Sequence, residues 1–131
     1  MERIQKLGIK PNQEHVDLIT GSGGLHAYEN FARARNEAAI RAGLTEDSIP
    51  FLQEKGPYKD KIYTGMQSLD ETRGWRLDFD PTDPSKAVHI NWWFKPDLNQ
   101  PRVRYKGMIK IDKATQDIYW DILSHFPKHQ P

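Results

Sequence analysis

The chain contains no cysteine, which excludes disulfides and thiolate metal sites and makes its stability independent of the redox state around it. No apolar run approaches the roughly 20 residues that span a bilayer, and the opening "MERIQKLGIK" lacks the apolar segment of a signal peptide. Charge of one sign is also missing: 19 basic against 18 acidic residues leave +1 over 131 residues, so any polyanion or polycation partner would depend on where charge is concentrated. No internal repeat or low-complexity tract is present. Hydrophobic residues are few at 37%, but four Trp, five Tyr and five Phe supply large areas to bury. That balance fits a folded chain with an aromatic core and polar loops, and the length suits one domain over 1–131.

Periodicity orders the chain. Residues 1–13 are polar with Pro11 and read as a leader or linker remnant. "EHVDLIT" reads as a short helix, interrupted by "GSGG" at 21–24. A long helix follows in "LHAYENFARARNEAAIRAGL", where Ala27, Phe31, Ala34, Ala38 and Ala42 form one stripe suited to close packing on a sheet. Gly43 stands at the C-cap position. Residues 45–72 mix Pro, Gly and charge and read as a long loop, with a short strand at 61–64.

The last third alternates. "GWRLDFD" places Trp75, Leu77 and Phe79 on one face and Arg76, Asp78 and Asp80 on the other. "AVHINWWF" places Val88, Ile90, Trp92 and Phe94 inward, with His89, Asn91 and Trp93 outward. "RVRYKGMIKI" turns Val103, Tyr105, Ile109 and Ile111 inward and Arg102, Arg104, Lys106, Met108 and Lys110 outward. Short turns join these strands, which predicts an antiparallel meander with one wet face. Asp112 is placed to cap a final helix, whose Ile118, Tyr119, Ile122, Leu123 and Phe126 form an apolar stripe before Pro127 ends it. The expected class is α+β: N-terminal helices, then the meander, then a C-terminal helix packed on one sheet face.

The wet face carries the chemistry. His89 brings an imidazole, a group able to give or take a proton. Arg76, Arg102, Arg104 and Lys106 can bind phosphates and stabilise an anionic transition state. Asp78 can orient the imidazole or serve as a second acid or base, Asn91 can hold a phosphate or a base edge, and Trp93 can stack a base. These are the parts of metal-free RNA transesterification, with no cofactor. Plainer readings stand beside it: alternating Arg and Lys also protect an edge strand from aggregation, and Trp93 can simply cover the sheet. Asp78, Asp80, Asp83 and His89 form a conceivable metal set, but their spacing matches no specific motif. "GSGG" lacks the Lys-Ser/Thr of a P-loop and reads as a joint. His26, in the first turn of the long helix, is a weaker second histidine.

Two segments carry a resemblance. "ARARNEAAIRAGL" resembles the helix that opens many C-terminal toxin domains of bacterial polymorphic toxins of the Rhs and contact-dependent inhibition type. "GWRLDFDP…AVHINWW" resembles Gly-aromatic-Arg-x-Asp-aromatic-Asp and His-x-Asn strands of such domains predicted to be RNases, and the order of elements is similar to the barnase/EndoU/colicin group. The resemblance implies a ribonuclease toxin cleaving tRNA or another structured RNA, with His89, Arg76 and Asp78 catalytic and Asn91 assisting. It further implies a cognate immunity protein covering this face, no membrane partner, and delivery as part of a larger secreted effector into a competitor's cytoplasm. The alternatives are an ADP-ribosyltransferase toxin, a metal-dependent nuclease toxin, and a non-enzymatic immunity or binding module.

Overall fold

The computed structural model describes residues 2–19, 26–79, 88–100, 102–111 and 114–128. The order is α1 (Glu2–Lys6), β1 (Glu14–Ile19), α2 (His26–Ala42), β2 (Ile49–Leu52), β3 (Tyr63–Gln67), β4 (Arg73–Asp78), β5 (His89–Phe94), β6 (Tyr105–Ile111) and α3 (Gln116–Ser124). The strands form one mixed sheet in the order β1-β6-β5-β4-β3-β2. From β2 to β6 every pair is antiparallel, and β1 joins β6 in parallel. The fold is α+β, with helices on one sheet face.

The alanine stripe explains how α2 lies on the sheet. Ala27, Ala34, Ala38 and Ala42 are fully buried, and these small side chains let the helix approach β4, β5 and β6 closely. Trp75 and Leu77 of β4, Val88 with Ile90, Trp92 and Phe94 of β5, and Ile109 and Ile111 of β6 answer from the sheet. From α3, Tyr119, Ile122 and Leu123 close the same core, and Phe126 meets Trp75 edge-on with ring centroids 6.1 Å apart. Gly43, at φ +71°, ends α2 in a Schellman turn: its N–H donates to the Ile40 carbonyl and that of Leu44 to the Ala39 carbonyl. Arg73 ties this helix end to the sheet by donating to the Gly43 carbonyl at 3.1 Å, with its guanidinium 4.4 Å from the Phe94 ring centre.

Four expectations are corrected. "EHVDLIT" contains strand β1, not a helix, because its burial alternates with period two: His15, Asp17 and Ile19 are half-buried while Glu14, Val16 and Leu18 are exposed. Within 45–72, expected as mostly loop with a short strand at 61–64, lie two strands: β3, which overlaps the expected one, and β2, which was not expected; Pro50 is accommodated because β2 is an edge strand. The leader contains α1, whose Ile4 is buried in the core, and Arg3 donates two hydrogen bonds to Glu37 at 3.1 and 2.9 Å. The third meander strand begins only at Tyr105, so Arg102 and Arg104 precede it. The proposed cap Asp112 lies outside the described residues; the residue at the N-cap of α3 is Thr115.

An ion-pair relay fastens β1 to α2. The Arg41 side chain is only 5% exposed and reaches Asp17 at 2.5 Å and Glu37 at 3.0 Å. Replacing Arg41 by Met should lower the unfolding free energy by about 3 kcal/mol, read from urea denaturation, because both carboxylates lose a desolvated partner. Burial pushes the Glu37 carboxyl upward, but hydrogen bonds and charge from Arg3 and Arg41 together hold it below its ordinary value. A depressed native pKa means that Glu37 stabilises the fold above its unfolded value of about 4.3 and loses that contribution as pH falls through the native one. Glu37→Gln should therefore flatten stability against pH below about 4, while a slope unchanged from the parent would contradict the relay.

Candidate functional site

Strand pairing arranges the face opposite the helices in rows. Asp78, His89, Lys110 and Leu18 form one row across β4, β5, β6 and β1; Gly65, Arg76, Asn91, Met108 and Val16 form the next; Gln67, Gly74, Trp93, Lys106 and Glu14 form a third. Directly paired side chains have Cβ atoms about 5 Å apart, and diagonal ones sit about 7–8 Å apart. His89 is thus opposite Asp78 and diagonal to Arg76, and it is half-buried on the helix-free side.

Asp78 organises the middle of this face. Its Oδ2 accepts a hydrogen bond from Arg76 Nε at 2.8 Å and another from Asn91 Nδ2. The carboxylate fixes the guanidinium to the sheet through one edge, by a charge-assisted bond stronger than a neutral one. Burial first, then the negative charge of Asp78, pushes the Tyr119 phenol up to about 12, so the field of this carboxylate is felt as far as α3.

Beside the network the sheet opens into a hollow of about 500 Å³. Five cations line it (Lys55, Arg76, Lys95, Arg104 and Lys106) against three carboxylates, Glu14, Glu54 and Glu71; Asn91, Gln67, Phe51 and Trp93 are also in its walls. Field lines converge in such a concavity, which favours anionic ligands. Trp93 is pinned there: its ring meets Phe51 edge-on at 5.2 Å and its Nε1–H donates to the Glu71 carbonyl at 3.3 Å. It lies so close over Gly74 that a Cβ there would stand 2.3 Å from the indole, so only glycine fits beneath it. The turn before β4 is held by Asp70, whose carboxyl drops to about 2 through hydrogen bonds from the Ser68 and Thr72 hydroxyls and the Thr72 N–H.

The hollow continues into a smaller recess of about 330 Å³ lined by Asn12, Arg102, Arg104 and Lys106. Asn12 positions its rim: its N–H donates to the Arg104 carbonyl at 2.7 Å, and its Oδ1 accepts from the Arg104 N–H at 3.1 Å. Arg104 and Lys106 line both cavities, so cations run continuously from Arg102 to Arg76.

The structure therefore brings together Arg76, Asp78 and Asn91 by direct contact, with His89 beside Asp78 in register. Asn91, Trp93, Arg104 and Lys106 reach the main hollow and Arg102 the recess, whereas His89 and Asp78 are not among the described residues lining the main hollow. The concavity is offset by one to two rows from the histidine on which sequence reasoning centred it. Phe51, Lys55 and Lys95 were missed: the first two lie in the stretch read as loop, and the third just beyond β5. The alternation of Ile49 and Phe51 about Pro50 was the signal for β2. Of the conceivable metal set, Asp80 and Asp83 lie outside the described residues, as do the 21–24 glycine stretch and the side chain of His26. Among the described residues no three His, Cys, Asp or Glu come together as a metal site. No protein-family model matches the chain, and no curated protein does either.

Proposed function

We propose that this face is the active surface of a ribonuclease toxin domain that cleaves tRNA or another structured RNA by transesterification without metal. One observation carries the reading: the Arg76–Asp78–Asn91 network stands beside His89 and reaches a predominantly cationic hollow through Arg76 and Asn91. Lys106, Arg104 and Lys95 draw in the phosphate chain, and Arg76 meets the phosphoryl oxygens on which charge grows. The 2′-oxygen attacks phosphorus, the bond to the 5′-oxygen breaks, one proton leaves the 2′-hydroxyl and another reaches the leaving oxygen. His89 performs one of these transfers. Asp78, whose Oδ2 accepts from Arg76 and Asn91 and which pairs with His89 across the strands, orients the imidazole or makes the other transfer.

In this reading the domain is delivered within a larger effector, acts in the cytoplasm of a competing bacterium, and is silenced by an immunity protein seated over the hollow. The test is incubation of the purified protein with total RNA, with and without EDTA. Equal cleavage in both is expected. Loss of cleavage with chelator would replace the mechanism by a metal-dependent one, and intact RNA in both would remove the nuclease class. The offset between His89 and the hollow favours a second reading, an RNA-binding module without catalysis; retention of RNA without cleavage would select it.

A further inference from the structure

A second concavity, of about 470 Å³, lies between segment 53–62 and α3, within the size range of small-molecule sites. Its character differs from the first: Tyr58, Phe79, Tyr119 and Trp120 line it, with Gln53, Lys55 and Gln116 as polar members. Tyr58 and Trp120 are 45% and 36% exposed, so they spend apolar area on solvent that the core could have used. Their rings meet at 65° with centroids 5.1 Å apart, and Trp120 meets Tyr119 at 77° over 5.1 Å. These angles build a corner, in which a planar ring lies flat on one aromatic and touches the edge of the next. Lys55 lines both this groove and the cationic hollow, so one side chain borders the two. A ligand spanning them carries anionic charge next to an exposed flat aromatic ring. A single-stranded nucleic acid with an unstacked base has that composition.

We infer that the Tyr58/Trp120 groove is a nucleobase subsite that stacks one unpaired base of an RNA whose phosphates cross Lys55 into the cationic hollow. This rests on the reading of that hollow as an RNA surface. Tyr119, whose phenol is held up to about 12 by burial and by Asp78, also lines the groove and keeps its proton at neutral pH.

The test uses the full chain and a 2′-O-methyl octanucleotide, which cannot be cut because its nucleophile is blocked, beside an abasic octamer of the same backbone. Binding is followed by fluorescence anisotropy. Trp120→Ala should weaken binding of the base-bearing octamer about tenfold and leave the abasic one unchanged. Tyr58→Ala should act likewise, and Trp120→Phe, which keeps a stacking face, should recover most of the affinity. Lys106→Gln should instead weaken both octamers and reduce the salt dependence by about one ion. If the octamer binds but Trp120→Ala and Tyr58→Ala leave it unaffected, or weaken both octamers alike, the subsite is refuted while the RNA surface stands. If the parent protein binds neither octamer, the RNA surface itself falls and the subsite with it.

Discussion

Replacing His89 with alanine should reduce RNA cleavage by about 10²–10⁴-fold without unfolding the protein. The imidazole is half-buried on the helix-free face of β5, while the strand is anchored by Val88, Ile90, Trp92 and Phe94 on the other. Removing it therefore spares the packing and takes away a proton-transfer group. Circular dichroism should match the parent. Asp78→Asn gives the contrasting case. It leaves an acceptor beside Arg76 but removes the charge that holds the guanidinium, so cleavage should fall less than for His89→Ala. RNA affinity should also change, because the geometry of Arg76 is altered. Full activity in His89→Ala would dismiss the imidazole from the mechanism and leave the cationic hollow as a binding feature.

The largest effect on stability is expected at Trp92. Its side chain is 1% exposed in a central strand, among the bulkiest in the core, with the Arg41 guanidinium 5.9 Å from its ring centre. Truncation to alanine should cost about 3–5 kcal/mol through lost transfer energy and the cavity left behind. Against a total of roughly 5–15 kcal/mol for a typical domain, that is enough to populate the unfolded state under mild conditions. Trp93, one residue along, points to the other face and is half-buried against Phe51. Trp93→Ala should cost about 1 kcal/mol, read from the urea midpoint. A one-residue slip in β5 would exchange every side chain between faces, so comparable losses from the two tryptophans would contradict the register on which the site depends.

These tryptophans also show where the sequence was legible. In β4, β5 and β6 bulky apolar residues alternate with polar ones, and one face is buried under α2, so pattern and burial agree. That agreement makes the outward set of Arg76, Asp78, His89, Asn91, Trp93 and Lys106 readable from the amino-acid order alone. It fails at β1, where Val16 and Leu18 face solvent while Asp17 turns toward Arg41, a partner 24 residues away. Pairing of Asp17 with a buried cation reverses the usual meaning of the pattern. It fails again at β2, four residues long with Pro50 inside it, whose identity as a strand comes from pairing with β3. Because β2 and segment 53–62 supply Phe51 and Lys55 to the hollow and Tyr58 to the groove, the position of both concavities was hidden as well.

The most direct measurement is of the ends left on cut RNA. Purified protein is incubated with a defined transfer RNA in EDTA, and the fragments are analysed by mass. Attack by the neighbouring 2′-oxygen leaves a 2′,3′-cyclic phosphate on one fragment and a 5′-hydroxyl on the other, and that pair is the expected result. Fragments bearing a 3′-hydroxyl and a 5′-phosphate, or RNA recovered whole, would contradict it.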